Sequence, residues 1–321
     1  MEKRISMDAE GAHIIDDNVR EQLSRKNISP SLVTGLEGCH ARWLADQYVV
    51  REIVKEEPDN AAIRGSLYHK VMEELFALPA GERTTDKVKE LLNQTINLPE
   101  FVTLKQYPEA ISWIKKAING YYSMGGKPEQ VKIATLTLNE KDGPKSGIEL
   151  FVKDKVGNAS RPTLGFIDQI VEDPTRDDGS VVINDWKTGS KAKQYKPKNK
   201  YEEGLAEQRQ QILYTEILRS HGVKVSGARL VFPIARQVVK VDLASAELRE
   251  RAISDVEKAD EKLDRLLETN SFKYSPGILC AWCPLAKCCP KADIKPIEKA
   301  KVAFSTQPGI ELLDLAIEFA S

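Results

Sequence analysis

A chain of 321 residues exceeds the usual single-domain size of about 150, so it has room for one large core with appendages or for about two domains. Hydrophobic residues at 41% and charged residues at 30%, with 19 glycines and 16 prolines, exclude collagen-like, disordered and disulfide-scaffold compositions. Forty-seven basic against 48 acidic side chains leave a net charge of −1, so any contact with a polyanion must be local rather than drawn by a bulk field.

No window approaches the ~18 consecutive apolar residues that a membrane span needs, and the N-terminal segment has no apolar signal core. A cytoplasmic protein (host-cell cytoplasm if viral) with no membrane partner is the expectation. Residues 1–27 are polar and aperiodic, which predicts a flexible arm. From Ile28, Ser29 and Ser31 offer helix caps ahead of an apolar run that holds the isolated Cys39, and this predicts a short helix or helical hairpin. In RGSLYHKVMEELF, Leu67, Val71 and Leu75 with Tyr68, Met72 and Phe76 form one wide apolar helix face, with His69 on its flank. Helices are predicted again near Thr85 to Thr95 and Glu109 to Tyr122, then strands near Val131 to Leu138 and Ile148 to Val156.

LGFIDQIVED and SVVINDWKTG alternate β-branched residues around the turn-rich PTRDDG, which predicts a hairpin. Successive strand side chains point to opposite faces, so Val181, Ile183, Asp185 and Lys187 share one face, and on the preceding strand Phe166, Asp168 and Ile170 share a parity. The hairpin brings Asp168 alongside Asp185, and two acids among apolar neighbours repel unless a cation lies between them. Hard oxygen ligands suit Mg²⁺ or Mn²⁺, which hold a phosphate oxygen and acidify a bound water. Lys187 then orients or deprotonates that water, or neutralises charge on the phosphate.

A Gly222-terminated helix, two short strands in ARLVFPIARQVVKVDL and a long helix from about Ala244 to Leu267 follow. Beyond them lie the cysteines of CAWCPLAKCCP and an amphipathic segment, IELLDLAIEF. Four thiolates drawn from Cys39, Cys280, Cys283 and Cys289 suit Zn²⁺ or an iron–sulfur cluster, and spacing alone does not choose. Cys288 is left over, or replaces Cys289. The stretch KTGSKAKQYKPKNKY carries Lys191, Lys193, Lys196, Lys198 and Lys200 with Tyr195 and Tyr201, a local electropositive loop in a neutral chain. Lysines meet phosphates and tyrosines stack on unpaired bases, which predicts DNA as partner, single-stranded or with frayed ends. There is no phosphate loop of the G-x4-G-K-[ST] form, so no ATP dependence is expected.

GFID at 165–168 followed by NDWKTG at 184–189 resembles the active-site signature of the PD-(D/E)XK nucleases, in particular their RecB-like branch. His69 in RGSLYH resembles that branch's N-terminal helix histidine, a metal ligand there, and Gln210 and Tyr214 in QQILY match its Q-x-x-x-Y motif. The resemblance implies an α/β fold, a central mixed sheet flanked by helices, with His69, Asp168 and Asp185 as metal ligands. It further implies a DNA exonuclease acting at ends in recombination, repair or spacer processing, with protein partners of those pathways. One far cysteine with a C-terminal C-x2-C-x5-C resembles the [4Fe–4S] staple of the CRISPR-associated nucleases of this branch, and Cys289 fits that spacing with Pro290 behind it. The family often has proline after the first cysteine, where this chain has His40. A nuclease domain over 28–292, closed by Cys39 and the 280–289 cluster, and a tail over 293–321 are then expected. The alternative is a noncatalytic iron–sulfur- or zinc-stapled DNA-binding subunit. Sequence leaves the oligomeric state open.

Overall fold

The structure, a computed structural model, describes residues 3–50, 61–189, 206–277, 280, 283–286, 289–292 and 317–319. Contact density divides the chain into two units, one of Met1–Glu57, Asn158–Arg161 and Asp255–Ser321, the other of Pro58–Gly157 and Pro162–Ser254.

The first unit begins with β1 (Ile5–Met7) and β2 (Gly11–Ile14), an antiparallel pair in which Ile5 faces Ile14. Helix α1 (Asp17–Ser24) follows, its N-terminus closed by the Asp16 carboxylate accepting from the Asn18 amide. Where the sequence suggests a loose arm, residues 5–24 therefore carry two strands and a helix. Their apolar residues Ile5, Met7, Ala12, Val19 and Leu23 are all buried. Helix α2 (Pro30–Glu37) is capped by Ser29, and Pro30 sits in the first turn, where a missing N–H costs nothing. Helix α3 (His40–Ala45) starts at Cys39 and runs into a π-helical turn, Asp46–Val50.

In the second unit, α4 (Ala61–Ala77), α5 (Thr85–Thr95) and α6 (Pro108–Ser123) pack through the apolar face expected on α4. Leu67, Tyr68, Val71, Met72, Leu75 and Phe76 are all buried there, and each such side chain contributes about 1.5–3 kcal/mol. The strand expected over 131–138 shrinks to β3 (Thr135–Leu136), paired with β4 (Lys145–Ser146); ahead of it the Val131 carbonyl accepts from Arg83 at 2.7 Å and Ile133 forms an isolated bridge to Val171.

The central sheet has five strands in the order β5 (Ile148–Asp154), β6 (Thr163–Glu172), β7 (Val181–Trp186), β8 (Val225–Phe232) and β9 (Gln237–Val241). Helix α7 (Ala206–Ser220) lies in the crossover that lets β7 and β8 run parallel; the other neighbours are antiparallel. This is the mixed sheet with flanking helices expected of a restriction-endonuclease-like fold.

Helix α8 (Ala246–Thr269) contributes residues to both units. In the first, Asp260 accepts from the Ser160 amide and hydroxyl and pairs with Arg161 at 2.5 Å, which ties the short 158–161 segment to it. Strand β10 (Phe272–Lys273) joins β2, and β11 (Ile317–Phe319) lies parallel to β1, giving the order β10-β2-β1-β11. A strand thus stands inside the expected C-terminal tail.

Candidate active site

Strands β6 and β7 pair in the register Gln169↔Asn184 and Ile170↔Ile183, and one further step sets Asp168 across from Asp185. Asp168 is mostly enclosed. Burial, then the charge of Asp185, pushes its carboxyl well above the carboxylate range, while the Trp186 amide, donating to Oδ2 at 2.7 Å, opposes that rise. The Trp186 carbonyl accepts from His69 Nε2 at 2.9 Å. A carbonyl only accepts, so Nε2 carries the proton, and burial keeps the imidazole neutral by lowering its pKa. Nδ1 is left with its lone pair aimed at Asp168 Oδ2, 3.6 Å away. Two acceptors facing each other need a proton or a cation between them, and a histidine fixed through its other nitrogen is the usual form of a metal ligand.

The third member of the cluster is Glu149 on β5. Ligand atoms of His69, Glu149 and Asp168 all lie within 4.8 Å of one another. Burial, then repulsion from Asp168, pushes the Glu149 carboxyl up to about 7. Its backbone has φ +45°, a left-handed conformation that a glutamate rarely adopts. The β5–β6 ladder pairs Ile148↔Gln169 and Leu150↔Ile167 but omits the 149/168 step. That local turn lets Ile148 pack against the α4 cluster while Glu149 reaches His69. Strain of this kind concentrates where function demands it. Sequence reasoning missed Glu149, whose one signal is a charged residue among the apolar ones of GIELFV.

Asp185 stands beside this cluster rather than in it. Its Oδ2 is 2.8 Å from the Lys187 ammonium, and its Oδ1 accepts from Gln211 Nε2 at 3.0 Å and Gln210 Nε2 at 3.3 Å. Both adjacent glutamines therefore hold one carboxylate, and Gln211, fully buried, was not singled out from sequence. Gln210 Nε2 also reaches the Tyr214 hydroxyl at 3.4 Å. Tyr214 explains the glycine of GFID: a Cβ at Gly165 would sit 2.1 Å from that hydroxyl, so only glycine admits the ring. Burial and the nearby Asp185 and Asp168 raise the Tyr214 pKa and keep it neutral.

Trp186 fastens the site to the core. Its indole lies between Phe76, at 6.1 Å and 19°, and the edges of Tyr68 and Tyr121, at 6.2 and 5.5 Å.

In the first unit, Cys39, Cys280, Cys283 and Cys289 line one cavity of about 630 Å³ and form no disulfide. Burial pushes the Cys283 thiol up to about 12 and that of Cys289 upward, and neighbouring cysteines add to both. The Gly277 amide donates to Cys280 Sγ at 3.4 Å. Lys191, Lys193, Tyr195, Lys196, Lys198, Lys200 and Cys288 lie outside the described residues.

No helix among the described residues is long and apolar enough to cross a membrane. No curated protein matches the chain. The family model of the PD-(D/E)XK nuclease superfamily matches residues 27–290.

Proposed function

The chain belongs to the PD-(D/E)XK nuclease superfamily, and from that premise we propose that it is a divalent-metal-dependent deoxyribonuclease acting on DNA ends. The observation that carries this reading is the trio His69, Glu149 and Asp168, with ligand atoms within 4.8 Å and carboxyls raised by burial, beside the Asp185–Lys187 pair. One nitrogen and two carboxylates fit Mn²⁺ or Mg²⁺, and burial and mutual repulsion raise both carboxyls, a strain that a cation relieves. An ion held there supplies charge for a phosphoryl oxygen and acidifies water.

The chain's own residues do the rest. The Trp186 peptide fixes His69 in the tautomer that presents Nδ1 and steadies Asp168 through its amide. Asp185, gripped by Gln210 and Gln211, holds the Lys187 ammonium at 2.8 Å. That pairing suits Lys187 to orienting water and neutralising the phosphate rather than to abstracting a proton. In the overall reaction water adds across a P–O ester bond, leaving an alcohol and a phosphate monoester. Exonucleolytic action in recombination or repair follows from the RecB-like motifs, and it makes DNA and the proteins of those pathways the partners.

We read the four cysteines as ligands of a [4Fe–4S] cluster. What supports this is the resemblance of one far cysteine with a C-terminal C-x2-C-x5-C to the family's staple, with Zn²⁺ as the alternative occupant of four thiolates. The Gly277 amide, donating to Cys280 Sγ at 3.4 Å, would steady a thiolate in either case.

The test is digestion of end-labelled single- and double-stranded DNA with Mn²⁺, Mg²⁺ or chelator, by the wild type and Asp168→Ala. Cleavage that needs the metal and Asp168 is expected. Cleavage in chelator, or by the variant at the wild-type rate, refutes the reading.

A further inference from the structure

Phe151 and Phe166 face each other across β5 and β6, their ring centroids 5.2 Å apart and tilted by 53°. Both are exposed, at 46% and 56%, although Leu150, Val152 and Ile167 beside them are buried. Leaving two large rings in water forgoes hydrophobic stabilisation, and the sheet sequence offers no structural reason for it. Phe166 is two residues from Asp168 on β6, and Phe151 pairs with it on β5. Residues two apart on a regular strand share a face and lie about 7 Å apart. The pair therefore continues the line of the Asp168 carboxylate along one face of the sheet. Exposed Lys153, two residues further along β5, extends the row with a cation.

We propose that Phe151 and Phe166 form a stacking platform for an unpaired base of a DNA strand whose phosphate lies at the His69–Glu149–Asp168 cluster. The site is thereby selective for single-stranded ends. The proposal rests on the nuclease reading above and deepens it. Its occupant is set by continuity with the cluster: a strand held there by a phosphate carries a base within one nucleotide's reach of the rings, and Lys153 suits the next phosphate. In a duplex every internal base has both faces covered by its neighbours, so within a strand only an unpaired base can lie on the two rings. Stacking is indifferent to base identity, so little sequence preference is expected.

The experiment compares the full chain with Phe151→Ala, Phe166→Ala, the double variant and Phe166→Trp. Cleavage of single-stranded and duplex DNA is measured with Mn²⁺. Binding is measured with Ca²⁺ in its place, through the fluorescence of a single strand carrying 2-aminopurine near its end. The double variant is expected to raise KM for single strands about tenfold to hundredfold and to lose the 2-aminopurine quench that the wild type gives, while Phe166→Trp retains both. An unchanged KM and quench overturn the proposal. So does an equal loss on duplex DNA, whose internal bases are already covered, or a change confined to oligomeric state, which would make the rings a contact between copies. If the wild type cleaves nothing, the nuclease reading fails, and the quench still decides whether the platform exists.

Discussion

Glu149→Gln separates what the protein gains from a metal ligand from what that ligand costs without metal. The carboxyl moves from an ordinary 4.5 up to about 7 in the folded chain, with burial first and Asp168 second as causes. Stability from this group is therefore full below 4.5 and is lost as pH rises through about 7. At 1.36 kcal/mol per pH unit that gap corresponds to roughly 3 kcal/mol. Glu149 is partly exposed, so solvent screening reduces the figure to about 1–2 kcal/mol. In chelator, Glu149→Gln is expected to be more stable than the wild type by that amount near pH ~8 and equal to it near pH ~4. Mn²⁺ at about 100 times its dissociation constant stabilises the wild type by about 2.7 kcal/mol, and the variant, lacking one anionic ligand, far less. Urea unfolding at both pH values, with chelator and with Mn²⁺, reads all four quantities. A variant less stable than the wild type at the higher pH in chelator, or one gaining as much from Mn²⁺, would refute the assignment of Glu149 to the cluster.

Lys187→Met leaves the buried Asp185 carboxylate without its ammonium, 2.8 Å away in the wild type. DNA cleavage is expected to be lost and unfolding free energy to fall by about 1–3 kcal/mol; wild-type kcat in the variant would contradict this. Gly165→Ala places a methyl 2.1 Å from the Tyr214 hydroxyl and is expected to cost about 1–3 kcal/mol through overpacking. A double-mutant cycle with Tyr214→Leu should recover part of that loss, and strict additivity would show that the two do not touch. On the proposed iron–sulfur reading, anaerobically purified wild type is brown and contains iron, and Cys39→Ser is expected to lose both and to melt at a lower temperature; full iron retention would exclude Cys39 as a ligand.

Much of the site is readable from local pattern. Alternation along GFID and NDW is enough to set Asp168 and Asp185 on adjacent strands, and the α4 stripe carries His69 to their side. Glu149 is not readable, because its strand reads as ordinary alternation and only the backbone turn at φ +45° swings it to His69. Gln211 escapes for a related reason: helical spacing ties Gln210 to Tyr214 but does not reveal that its neighbour is the one sealed against Asp185. The N-terminal strands are illegible in another way. Residues 5–7 and 11–14 are too short to show a period, and their partners at 317–319 and 272–273 are hundreds of positions away.

The Trp186 peptide grips His69 with its oxygen and Asp168 with its nitrogen, while its indole is wedged among Phe76, Tyr68 and Tyr121. The placement of His69 and Asp168 is thus inherited from the dry interior. A truncation at Phe76, whose ring stacks on the indole, would loosen Trp186 and shift His69 and Asp168 together. A thermally softened interior would therefore disturb that pair before the chain unfolds.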